Sequence, residues 1–138
     1  MNKKVLVIST SPRKGGNSNT LADFFIQGAQ EQGHAVEKVT LFDKQIGFCK
    51  GCLTCQSTQK CIIQDDADAI IQKMKEADVL VFATPIYYYG LSGQMKTLLD
   101  RANPLYSADY RFRDVYLLAA AAEEGTHTVG GAVTRLQG

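Results

Sequence analysis

The sequence predicts an α/β fold, a doubly wound parallel sheet with helices on both faces. Three observations carry this reading. Short, near-continuous apolar runs alternate with stretches whose apolar residues recur at helical spacing. Strands of that kind are buried on both sides, as in a parallel sheet covered by helices. A loop of small polar residues, from Ser9 to Leu21, joins the first apolar run directly to a helical stretch. Right-handed crossovers then leave few topologies open.

Taken in order, the first strand covers residues 4–8, with Val5, Leu6, Val7 and Ile8 inside. A helix follows over 18–32, with Leu21, Phe24, Phe25 and Ala29 on one face and Gly33 as its stop. Residues 35–42 form a second strand, mixed in polarity as an edge strand is. After a cysteine-bearing stretch, Asp65 or Asp66 caps a helix whose Ile70, Ile71 and Met74 share a face. Residues 78–84 form a third strand around Val79-Leu80-Val81-Phe82-Ala83. Ser92 or Gly93 opens a helix with Met95, Leu98 and Leu99 inward. A fourth strand spans 115–122, and a last helix spans 126–136 with Val129, Ala132, Val133 and Leu136 at helical spacing. No repeat, linker or low-complexity segment interrupts this order, so residues 1–138 read as a single domain.

Composition narrows the partners. Hydrophobic residues make up 45% and charged residues 21%, as in an ordinary globule. A net charge of +1 points to no nucleic-acid or membrane-surface partner. The first apolar run is too short for a signal peptide, and nothing approaches the ~18 apolar residues of a membrane span. The expected location is cytoplasmic. In that reducing compartment, four cysteines point to metal or redox chemistry before a structural disulfide.

The loop Ser9-Thr-Ser-Pro-Arg-Lys-Gly-Gly-Asn-Ser-Asn-Thr-Leu21 offers hydroxyls, amides, Arg13 and Lys14 beside a helix N-terminus. Unpaired N–H groups and a partial positive charge there make a phosphate seat. An ordinary turn with Asn17 or Ser18 as N-cap is the plain alternative. The sequence has no Walker loop and no Gly-x-Gly-x-x-Gly. The loop holds no cysteine nucleophile, and no acidic pair ends the first strand. A phosphate loop of this kind favours the flavodoxin-like strand order, with ligands at the carboxyl ends of strands one and three. Only four strands are legible, in order 2-1-3-4. The domain is therefore expected to be short at its C-terminus, or to have its fourth strand covered by another subunit in a homo-oligomer. Thr84-Pro85-Ile86-Tyr87-Tyr88-Tyr89-Gly90 leaves strand three at the same edge. Its tyrosines can present flat faces to a planar ring, or simply rim the core or an interface. Phosphate seat and aromatic shelf together suit a phosphorylated aromatic ligand such as FMN.

Ser11-Pro12-Arg13-Lys14-Gly15-Gly16-Asn17-Ser18 resembles the phosphate loop of the NAD(P)H-dependent FMN reductase group of flavodoxin-like proteins. Thr84-Pro85-Ile86-Tyr87-Tyr88, with Gln94-Met95-Lys96 and Asp100-Arg101, resembles that group's segment beside the isoalloxazine. The resemblance implies that Ser11, Arg13, Asn17, Ser18 and Asn19 hold the phosphate, and that Pro85, Ile86, Tyr87 and Tyr88 line the ring. It also implies hydride delivery from NAD(P)H and onward reduction of a quinone, azo compound or free flavin. No side chain is assigned as acid or base. His34 reads as a turn residue, His127 as a surface helix residue or one that approaches the flavin from the end of strand four, and Glu123 and Glu124 as helix-start residues. Thr10 departs from the group's usual glycine, and its side chain could narrow the phosphate approach. A flavodoxin-type electron carrier acting with a protein partner is the alternative function. A non-redox interaction module without cofactor is a further one.

Cys49-x2-Cys52-x2-Cys55-x5-Cys61, followed by Asp65-Asp66, is similar to the compact motif of iron-sulfur flavoproteins. That resemblance implies a [4Fe–4S] cluster held by these four thiolates. Metal-free thiols or disulfides stay open, as does zinc, although structural zinc sites usually join two separated knuckles.

Overall fold

The structure is a computed structural model and describes residues 2–123 and 126–137. Four parallel strands lie in the order β2-β1-β3-β4: β1 (Lys4–Ser9), β2 (Ala35–Thr40), β3 (Val79–Pro85) and β4 (Asp114–Ala120). This is the expected flavodoxin-like sheet. Among the described residues no fifth strand is present. β1 is central enough to pair on both sides, Val5 opposite Val36 and Val79. Its Val5–Ile8 run is buried, which is why the sequence shows no alternation there.

Strand ends follow from pairing. β2 stops at Thr40, two residues before the expected end, because its register with β1 finishes at Ser9↔Thr40. β4 begins at Asp114 and ends at Ala120 opposite Pro85, not at Ala122. The last ladder bond runs from the Ile86 N–H to the Ala120 carbonyl at 2.8 Å. Ala121 and Ala122 are thereby released to the carboxyl edge of the sheet.

α1 (Asn17–Glu31) covers one face, over Val5, Val7, Val79, Val81 and Ala83. The expected inward face is corrected here. Ser18 and Ala22 are buried and Phe25 and Ile26 pack beside them, whereas Leu21 is exposed and Phe24 is 68% exposed. Two small residues let the helix backbone approach the sheet, with Phe25 and Ile26 at the margin and Leu21 and Phe24 left outside. The opposite face carries α3 (Ala67–Glu76), α4 (Gly93–Arg101) and α5 (Gly130–Gln137). Their Ile70, Ile71, Met74, Met95, Leu98 and Ala132 join Leu6, Ile8, Leu80 and Phe82 in the main core. The expected last helix is divided into a 3-10 turn at Thr126–Thr128 and α5, whose Ala132 is buried while Val133 is exposed. The reading of Glu124 lies outside the described residues. A short α2 (Thr54–Thr58) sits inside the cysteine stretch. No helix among the described residues is long and apolar enough to cross a membrane.

Candidate functional site

The loop after β1 is built from the backbone outward. Ser11 Oγ accepts the Arg13 N–H at 3.1 Å, and Gly15 takes a left-handed φ of +80°. Gly16, and not Asn17 or Ser18, is the N-cap of α1, and no side chain caps that end. The first backbone N–H groups of α1 therefore remain available, as helix geometry requires of its first turn. Arg13 lies over this end: a methyl group on Gly16 would meet its Nη2 at 3.5 Å and Nε at 3.6 Å. Guanidinium, Ser11 hydroxyl and open helix start form a donor set suited to a phosphate monoester.

Thr10 does not narrow that approach. Its side chain is fully buried and its Oγ1 donates to the Ala83 carbonyl at 3.0 Å, beside its own N–H at 2.9 Å. Ser92 Oγ donates toward Thr10 Oγ1 (3.1 Å) and Thr10 O (3.2 Å), and accepts the Met95 N–H as the N-cap of α4. The Ser92 N–H in turn reaches Thr84 Oγ1 at 3.1 Å. This buried chain ties the loop after β1 to the loop after β3.

The second loop is a tight reversal. Tyr87 and Gly90 exchange two backbone hydrogen bonds, at 3.2 and 3.1 Å. Between them Tyr88 and Tyr89 both take left-handed φ, 48° and 61°. Positive φ at both central positions is the type I′ pattern that favours Asn and Gly. Strain of this kind costs roughly 1–2 kcal/mol per residue. Tyr88 is 98% exposed and packs edge-on against Tyr89, ring centroids 6.1 Å apart.

One hollow of about 280 Å³ brings the loops together. Ser11, Arg13, Asn17 and Ser18 line it from one side and Pro85, Ile86 and Tyr87 from the other. Asn19 and Tyr88 are not among its lining residues. The sequence reading missed Ala120, Ala121 and Ala122, which form a third wall. Their signal is three small residues leaving a strand at the ligand edge, where small side chains admit a flat group.

The cysteines lie elsewhere. Cys49 and Cys52 are exposed, Cys61 is half-buried and Cys55 is buried. All four line a larger cavity, about 810 Å³, whose apolar walls include Met74, Leu80, Phe82 and Leu105. It shares no lining residue with the first hollow. Three sulfurs already accept N–H groups: Cys49 from Gly51 (3.4 Å), Cys61 from Ile63 (3.4 Å) and Cys55 from Asn103 Nδ2 (3.1 Å). The N–H and hydroxyl of Thr54 hold the Cys52 thiol below its ordinary range. Among the described residues, however, no three His, Cys, Asp or Glu side chains lie close enough to hold a metal ion. In this arrangement the thiols do not form a ligand set.

Arg101 belongs to this second region and not to the ring side that its motif implied. Its guanidinium is buried and forms a two-point ion pair with Asp65, at 2.7 and 3.0 Å. It also donates to the carbonyls of Gly47 (2.9 Å) and Ile63 (3.2 Å), on either side of the cysteine loop. Asp65 Oδ2 accepts the Gly47 N–H at 2.7 Å as well. Burial pushes the Asp65 carboxyl up, but Arg101 and the N–H groups of Gly47 and Ala67 outweigh it and hold it below its ordinary value.

Comparison with known proteins adds a frame to this geometry. The model of the family "NADPH-dependent FMN reductase" matches residues 3–137. An iron-sulfur flavoprotein of Methanocaldococcus jannaschii is 38% identical over 134 residues, covering 97% of this chain and 68% of that protein. The chain spans between 46% and 69% of the length of three such curated relatives. Among solved structures, an NAD(P)H:quinone oxidoreductase from Methanothermobacter marburgensis superposes with a TM-score of 0.74 at 17% identity, covering 90% of this chain and 69% of that one. RosB, with a bound 8-demethyl-8-formylriboflavin-5'-phosphate, superposes with a TM-score of 0.73 at 23% identity, covering 98% and 57%. These two likenesses are of fold.

Proposed function

Because the chain belongs to the NADPH-dependent FMN reductase family, we propose that it binds FMN and passes electrons from NAD(P)H to a quinone, flavin or similar small acceptor. One observation carries the reading. Both loops and the end of β4 line a single hollow, with Arg13 folded over an uncapped helix start. Bound FMN supplies the hydride and single-electron chemistry. The chain's own residues do the rest. Arg13, Ser11 and the first turn of α1 neutralise and orient the phosphate. Pro85, Ile86 and Tyr87 border the ring on one side, and Ala120–Ala122 let it approach the sheet. Exposed Tyr88 offers an aromatic face toward solvent, where a nicotinamide or acceptor arrives.

The test is a fluorescence titration with FMN, followed by steady-state oxidation of NADPH and NADH with a quinone acceptor. Arg13→Ala should weaken FMN by a lost charge-assisted hydrogen bond, about 1.5–3 kcal/mol. Unchanged affinity would remove the phosphate seat. Flavin binding without NAD(P)H oxidation would favour the electron-carrier reading.

A second reading concerns the cysteines. Four thiols on one cavity, and relatives named iron-sulfur flavoproteins, support a [4Fe–4S] cluster at Cys49, Cys52, Cys55 and Cys61. The exposed Cys49–Cys52 end would have to close on Cys55 and Cys61 to complete the ligand set. Anaerobic reconstitution with iron and sulfide analysis decides it. No iron bound, with four reduced thiols, leaves a plain FMN reductase.

A further inference from the structure

We propose that Gly131 is a positioning residue for the flavin-ring side of the site, resting on the reading of Pro85–Tyr88 as ring-side residues. A methyl group on Gly131 would stand 2.4 Å from the Tyr89 carbonyl oxygen and 3.6 Å from its carbon. The nearer atom is backbone, so no rotamer change relieves the contact. α5 cannot back away freely, because Ala132, the next residue, is fully buried in the main core. The movable partner is the Tyr87–Gly90 turn. Its own two hydrogen bonds close it, and it holds two tyrosines at left-handed φ. Structure of that kind persists only where its surroundings impose it. α5, lying flush against Tyr89 through a bare Cα, is such a surrounding. Gly130 is a built-in control, since a methyl group there meets nothing within 4 Å.

The experiment compares Gly131→Ala with Gly130→Ala in the full chain. Dissociation constants for FMN and for riboflavin, which lacks the phosphate, are read by flavin fluorescence. Near-UV circular dichroism reports the tyrosines. Gly130→Ala should match the wild type. Gly131→Ala should weaken both flavins by the same factor, on the order of tenfold for a turn forced from its geometry, and change the tyrosine signal. Adding Tyr89→Gly, which frees the backbone at that position, should restore binding. Unchanged affinity for both flavins, or a loss confined to FMN, overturns the proposal. So does a lowered melting temperature that Tyr89→Gly does not rescue, because α5 and not the turn has then moved. A wild type that binds no flavin would defeat the FMN reading instead. The tyrosine signals of the two variants would then still decide whether Gly131 sets the turn.

Discussion

Arg101 brings a full charge into the interior, and Asp65 is what makes that tolerable. Breaking a buried pair by removing one partner typically costs about 3–5 kcal/mol, since the other charge is left uncompensated. Asp65→Asn keeps the shape and loses the charge. The folded Asp65 titrates below its unfolded value, so its contribution is complete above the ordinary carboxylate range. It is lost as pH falls through the lowered value. Urea unfolding across the acid range should therefore show the wild type losing an advantage that Asp65→Asn never had, with the two curves converging at low pH. The opposite holds for Tyr88, whose side chain is in water and whose backbone is strained. Tyr88→Asn, a residue that tolerates left-handed φ, should raise stability by about 1 kcal/mol. A melting midpoint that falls would show that the ring contributes contacts that outweigh the strain.

At the scale of elements, Ser92 holds three of them. It caps α4, reaches Thr10 at the end of β1, and its N–H is bound by Thr84 of β3. Ser92→Ala removes a cap and a buried hydrogen bond, for about 1–2 kcal/mol. It should also weaken FMN slightly, because the two site loops lose their tie. A thermal melt with a flavin titration checks both. The sheet was legible because buried parallel strands are written as unbroken apolar runs, such as Val5–Ile8 and Val79–Ala83. The inward face of α1 was not, because Ser18 and Ala22 earn their place by being small, and periodicity weighs only the large residues. Arg101 could not be located from its motif. Its partners, Gly47, Ile63 and Asp65, are more than thirty residues away in sequence. The two site loops were each visible locally, and their meeting followed from the strand order. The alanines after β4 carry no side-chain chemistry to notice.

At the scale of the whole molecule, β4 is an edge among the described residues. Val115 is 42% and Tyr116 50% exposed. Open edges of this length invite pairing. We propose that β4 is covered, either by further chain of a longer protein or by a second copy; if by a second copy, Val115→Lys should shift the assembly toward monomer in sedimentation velocity. A monodisperse monomer with β4 open to solvent, read by fast amide exchange along the strand, would contradict this. The guanidinium of Arg101 has a different consequence at the same scale. It grips the chain at Gly47 and again at Ile63, so the fifteen or so residues between behave as a cassette clipped into a finished frame. Loop-closure entropy grows only slowly with length. Because Asn103 and Ser107 also hold the segment at Cys55, Gln56 and Gln59, changes of length outside those ties should leave the sheet and the hollow at its carboxyl edge as they are, read as unchanged far-UV circular dichroism and FMN affinity.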